Sequence, residues 1–174
     1  MQITNHSDTA LFVIDVQQGM FVKSTPVFHA AELLENIRAL IERAHQACIP
    51  VYYLQHTNDT FLAEMSDGWQ IHPSIQPSSV DIVIRKRRSS AFKEPALCSE
   101  LKSQPIRRLV ITGLVTQGCV QAACLDALKI GYRVLLAADG HSTFHKRAGE
   151  LIDEWNTKLR QEGVEVKPTQ EIEF

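Results

Sequence analysis

No stretch of this 174-residue chain is apolar for long enough to cross a membrane. Runs such as Ala10–Ile14 fall far short of the about 20 residues that a spanning helix requires. The opening MQITNHSDTA lacks a basic segment followed by an apolar one, so no secretory signal is expected. Among the four cysteines, at 48, 98, 119 and 124, there is no C-x-x-C pair and no dense framework. That sets aside a disulfide scaffold and a zinc finger, and it fits reduced cysteines in a cytoplasmic protein. Charge of neither sign dominates: 18 Lys and Arg stand against 20 Asp and Glu, a formal net charge of -2. The one cationic cluster, Arg85-Lys86-Arg87-Arg88, is too short for a nucleic-acid footprint, so neither nucleic acid nor a membrane is expected as a partner. There is no linker, low-complexity tract or internal repeat. One domain over residues 1–174 is the expectation, large enough to bury roughly two-thirds of its unfolded surface.

What the chain does contain is an alternation of continuous apolar runs with helical periodicity. Ala10–Val16 is apolar on both faces of the pleat except at Asp15, as befits a central strand of a parallel sheet covered by helices. Ala30, Leu33, Leu34, Ile37, Leu40, Ile41 and Ala44 then recur at three- and four-residue steps, predicting an amphipathic helix to about Ala47. Further strands are predicted at Ile49–Leu54, Asp81–Arg85, Arg108–Leu114, Arg133–Ala138 and from Val164 to Val166. Helices are predicted at Pro95 to Lys102, Cys119 to Ile130 and Thr143 to Glu162, the last two stopped by Gly131 and Gly163. Residues 57–80 read as a long loop of the kind that serves as a lid or binding loop. The expected architecture is α/β: a three-layer α/β/α sandwich around a six-stranded, mainly parallel sheet.

Ligands of open parallel sheets bind beyond the carboxyl ends of the strands, where the strand order reverses. Three residues fall on that edge. Asp15 is a carboxylate inside an apolar run, costly unless paired; capping a loop and doing chemistry are equally compatible with it. Cys119 follows a strand and opens a predicted helix, whose N-terminal field favours a thiolate, yet alone it reads as a small buried hydrophobe. Lys86 alone reads as one solvated cation among arginines. Together they supply a nucleophile, a base and a cation for the anionic forms.

The chain resembles the isochorismatase-like cysteine hydrolases, which include nicotinamidases and N-carbamoyl amide hydrolases. The likeness rests on ALFVIDVQQGMF (10–21), GWQIHPSIQP (68–77), VIRKRRSSAF (83–92), VITGLVTQGCVQAACLDALKIGYRVLLAADGHSTF (110–144) and GVEVKPTQEIEF (163–174). The order D-x-Q, K-x-x-x-S-A-F and G-x-x-T-x-x-C-V is specific. The resemblance implies a catalytic set of Asp15, Lys86 and Cys119, and it singles out Lys86 from its neighbours because Ser90-Ala91-Phe92 follows. It implies a cis peptide between Leu114 and Val115, with the Val115 and Cys119 N–H groups forming an oxyanion site. It implies hydrolysis of a small-molecule amide or carbamoyl C–N bond through a thioester, without a cofactor, in a homo-oligomer (dimer or tetramer). The nicotinamidase D-x-H metal pattern is missing: the matching stretch is Gln55-His56-Thr57-Asn58-Asp59, with His72 remote, so no metal is expected. Phe21, His56, Trp69, Phe92, Thr116 and Phe144 lie near the predicted edge and are candidates for substrate contact or for ordinary packing. Ether cleavage of the isochorismatase type, which needs no cysteine, and a non-hydrolytic redox or scaffold role are the alternatives.

Overall fold

The computed structural model describes residues 8–174. The segment 1–7, which opens the stretch tested above for a secretory signal, lies outside the described residues. The elements are β1 (Thr9–Ile14), α1 (Gln18–Phe21), α2 (Ala30–Gln46), β2 (Val51–His56), β3 (Ile82–Lys86), α3 (Pro95–Ser103), β4 (Arg108–Leu114), α4 (Gln121–Lys129), β5 (Arg133–Ser142), α5 (Ala148–Gln161) and β6 (Glu165–Lys167). The strands form one sheet in the order β3-β2-β1-β4-β5-β6. Every neighbouring pair runs parallel.

The doubly apolar pattern of β1 is explained by two cores, one on each face. Leu11 and Val13 point into a cluster with Leu33, Ile37, Leu40 and Ala44 of α2. Ala10, Phe12 and Ile14 point into the other, with Leu97 and Leu101 of α3, Ala123 and Ala127 of α4, and Leu159 of α5. The result is the expected α/β/α sandwich. Among the described residues no helix is long and apolar enough to cross a membrane.

The chain crosses from β1 outward to β2 and β3, then returns to β4 on the other side of β1, so the strand order reverses between β1 and β4. There Ile14 pairs in register with Gly113. Gly113 has φ +119° and a side chain on it would overlap the Ile14 carbonyl, so only glycine lets the two strands close.

Several boundaries differ from the sequence reading. β1 stops at Ile14 because Asp15 turns left-handed, with φ 52°, and carries the chain out of the sheet. β5 continues past Ala138 to Ser142, its register against β4 shifting between Ile111 and Gly113, where the stretch from Ala137 to Gly140 stands opposite Thr112 alone. The last long helix begins at Ala148 rather than Thr143, whose carbonyl instead accepts from the Phe28 N–H. Cys119 does not open a regular helix either. It lies in a wide turn, Thr116–Val120, in which Gly118 departs from helical geometry at φ -114° and ψ -110°, and α4 starts only at Gln121.

Candidate active site

Each residue of the candidate site is the last of a strand or lies just beyond one. His56 ends β2, Lys86 ends β3, and the two are in register. Asp15 follows β1 and Cys119 sits in the turn after β4. Four strand ends thus deliver their side chains to one point, although Asp15 and Lys86 are 71 residues apart.

Lys86 Nζ is the hub. It donates to Asp15 Oδ2 at 2.9 Å, to Cys119 Sγ at 3.3 Å and to the Arg88 carbonyl at 3.2 Å. His56 Nδ1 lies 3.2 Å from the same ammonium, whose three N–H groups are shared among these four neighbours, so Nδ1 faces it with its lone pair and the imidazole proton belongs on Nε2. The side chains of Asp15 and Lys86 are 1% and 0% exposed. Asp15 Oδ1 is buried without a hydrogen-bond partner in the structure.

The electrostatics correct one expectation. Burial first, and the Asp15 carboxylate second, push the Cys119 thiol up to about 12, with Lys86 opposing them. The resting sulfur is a thiol, not the helix-stabilised thiolate read from the sequence. Burial works to lower Lys86, but Asp15 and then Cys119 outweigh it and hold the ammonium above its ordinary range. Burial, and after it the Lys86 charge, hold His56 below its ordinary range, so its ring is neutral. The proton inventory is a carboxylate, an ammonium, a thiol and a neutral imidazole.

Asp15, His56 and Cys119 each bring one donor atom within 4.8 Å of the others, a spacing that suits a metal ion. The Lys86 ammonium already touches all three residues at 2.9, 3.2 and 3.3 Å. A divalent cation placed among them would meet that charge at contact distance, so this donor set does not fit a metal.

Gln17 was not singled out in the sequence, although it is the second named residue of D-x-Q. Its Nε2 donates to the carbonyls of His56 and Trp69, each at 2.8 Å, and its Oε1 accepts the His56 N–H at 2.8 Å. The side chain therefore ties the exit of β1 to the end of β2 and to the 57–80 loop.

The substrate-contact candidates divide. His56 stands in the site, half-buried. Phe21 is partly exposed, its ring 4.7 Å from that of His72, and Phe144 packs on the α2-side core. Trp69 is buried, its Nε1 donating to Thr57 Oγ1 at 2.9 Å, which makes it a post for the loop rather than a free wall. Thr116 is buried and bonded to His141. Phe92 is displaced from the site: its ring stacks toward Phe12 and Tyr132, at 6.1 Å from each, within the α3–α4 layer. The residues around it that line a surface hollow, from Gln104 to Arg107 and at Tyr132, precede β4 and β5, at the opposite edge of the sheet.

Comparison with known proteins matches the family model described as the Isochorismatase domain to residues 9–170. A streptothricin hydrolase of Streptomyces noursei is 31% identical over 137 residues, covering 78% of this chain and 50% of the relative. A ureidoacrylate amidohydrolase of Acinetobacter baylyi is 28% identical over 162 residues, covering 71% of this chain and 66% of that one. The chain thus spans about half the length of the first curated relatives it matches. A crystal structure of an isochorismatase family protein superposes with a TM-score of 0.87 at 25% identity, over 93% of this chain and 99% of the other.

Proposed function

The chain belongs to the isochorismatase family, and we propose that it is a cysteine hydrolase cleaving an amide or carbamoyl C–N bond of a small molecule through a thioester on Cys119. The observation that carries this reading is the hub at Lys86, bonded at once to Asp15 and Cys119, beside an Asp15 oxygen left without a partner. A buried carboxylate oxygen next to a thiol is a base awaiting a proton. The names of the relatives, a hydrolase and an amidohydrolase, point the same way.

In this mechanism Asp15 Oδ1 takes the thiol proton as Cys119 sulfur attacks the substrate carbonyl carbon. A thiol held near 12 gives little free thiolate at neutral pH, so proton transfer accompanies attack. Lys86 moderates the charge that passes between sulfur and carboxylate. The backbone N–H groups of Val115 and Cys119 hold the oxyanion. Asp15 returns the proton to the departing nitrogen and the C–N bond breaks, leaving the thioester. Asp15 then deprotonates a water whose oxygen attacks the thioester. The C–S bond breaks, the carboxylic or carbamic acid leaves, and the proton on Asp15 restores the thiol. His56, its Nε2–H fixed by the Lys86 contact, offers a neutral donor to the substrate.

Ammonia release across a panel of small amides and carbamoyl compounds tests the reading, with Cys119→Ala as control. At least one compound is hydrolysed by the wild type, and Cys119→Ala, folded by circular dichroism, releases none. Undiminished ammonia release by Cys119→Ala would end the covalent mechanism. Oxidation of Cys119 without turnover of any compound would point to a redox role.

A further inference from the structure

His141 lies outside every residue assigned above, yet it is 2% exposed and wholly engaged. Asn156 of α5 donates from Nδ2 to the Ala138 carbonyl at 3.1 Å, which turns its Oδ1 toward His141 Nε2 at 2.9 Å. An amide oxygen only accepts, so Nε2 carries the imidazole proton and Nδ1 is bare. Nδ1 stands 2.8 Å from Thr116 Oγ1 and accepts from it. Thr116 is 1% exposed, so water offers neither group a substitute. Burial holds the imidazole below its ordinary range, in the neutral state that this hydrogen-bond order demands.

Thr116 opens the wide turn that carries Cys119, and at Gly118 that turn departs from helical geometry. Its side chains tie it to the end of β5: Gln117 Nε2 adds a second bond to Thr143 Oγ1 at 3.0 Å. The end of β5 is itself held by Ser142 Oγ donating to the Phe28 carbonyl at 2.7 Å, and by the Phe28 N–H donating to the Thr143 carbonyl at 2.9 Å.

The geometry points to His141 as a positioning residue for Cys119: held in the Nε2–H tautomer by Asn156, its imidazole accepts from Thr116 at Nδ1 and so fixes the turn that aims the sulfur at the substrate carbonyl. This inference rests on Cys119 being the nucleophile. A displacement of about 1 Å at a reacting atom costs on the order of 100-fold in rate while leaving binding largely intact. The unprotonated Nδ1 is the atom that matters.

Two substitutions separate that role from simple filling of space. His141→Asn keeps an acceptor near the position of Nδ1 but does not reach Asn156. His141→Gln keeps a donor near the position of Nε2 and loses the acceptor for Thr116. Thr116→Val and Thr116→Ser repeat the contrast from the other partner. Two readings are taken: kcat and KM on an amide found by ammonia release, and the iodoacetamide alkylation rate of Cys119, resolved by peptide mass spectrometry. His141→Gln and Thr116→Val are expected to lower kcat about 10- to 100-fold with KM within about threefold, and to raise alkylation at least about threefold as the turn loosens. His141→Asn and Thr116→Ser retain most of both values. Equal losses in His141→Asn and His141→Gln, or no change in either reading, would overturn the inference. The alkylation arm needs no substrate, so it decides the matter even if the chain hydrolyses none of the amides tried. The Thr116 pair decides it if the histidine variants do not fold.

Discussion

At the scale of single residues, the chemistry turns on a thiol that burial and a carboxylate keep protonated. Asp15 is the carboxylate that, after burial, raises the Cys119 thiol, and in the proposed mechanism it is also the base that removes the thiol proton. Asp15→Asn therefore separates two readings that usually move together. Without the carboxylate, Lys86 faces the sulfur alone, the thiol pKa falls and alkylation of Cys119 at pH 8 speeds up. Amide hydrolysis falls by about 100-fold or more because the base is gone. Slower alkylation in Asp15→Asn would contradict this balance of charges. The same pair has a stability consequence. Lys86→Met leaves a buried carboxylate unpaired and is expected to cost about 3–5 kcal/mol in denaturant unfolding, most of which Asp15→Asn in the same chain restores. Equal stability of the single and double variants would remove the pair from that account. Asp15 was legible in the sequence because a carboxylate interrupts an apolar run. Lys86 was not legible locally, since three arginines flank it; the family resemblance singled it out, and its burial in the structure shows that it is the cation that points inward. The protonated state of Cys119 was illegible, because nothing in a sequence shows how deep a thiol lies or what carboxylate faces it.

At the scale of elements, the site is assembled by strand ends and then fastened by polar side chains. Gln17 joins three backbone groups across β1, β2 and the 57–80 loop. Gln17→Ala leaves buried amide groups without partners and is expected to lower stability by about 2–3 kcal/mol. It should also speed limited proteolysis within 57–80; unchanged cleavage there would show that the loop is held by other contacts. Gly113 is a harder constraint: Gly113→Ala adds a side chain to a left-handed residue against the Ile14 carbonyl, and β1 and β4 cannot then close as they do. The six strands and their order of appearance were readable from apolar runs. The end of β5 was not: Asp139 and Gly140 interrupt the apolar pattern, but a register shift carries the ladder past them to His141 and Ser142. Nor was the start of the last helix readable, because Thr143 is held by the Phe28 N–H rather than by a helical turn, a contact that no local pattern shows.

At the scale of the whole molecule, one parallel sheet gathers Asp15, His56, Lys86 and Cys119 at the carboxyl ends of its strands, beside the reversal of strand order, while the hollow at Gln104–Arg107 and Tyr132 lies at the other end. The switch-point rule anticipated that placement, since it depends on topology alone. It could not anticipate which aromatic rings would flank the site, and Phe92 went to the α3–α4 layer because Phe12 and Tyr132 offer it apolar neighbours. A property of the whole fold follows from its histidines. His56, His72 and His141 are each held below their ordinary range, in every case chiefly by burial. Below about pH 6.5 the unfolded chain binds protons that the folded one resists. Stability is therefore fully present above that pH and declines as the pH falls toward the folded values. The urea midpoint is expected to be lower at pH 5.5 than at pH 7, and a rising midpoint would contradict it.

The proposed hydrolysis turns on a covalent bond between Cys119 and the carbonyl carbon of the substrate. Acid quenching during turnover of an amide that the enzyme hydrolyses, followed by peptide mass spectrometry, reads that bond directly. An added mass equal to the substrate acyl group is expected on the peptide that contains Cys119, and none in Cys119→Ala. Turnover at the wild-type rate in Cys119→Ala, with no adduct on the wild type, would contradict it.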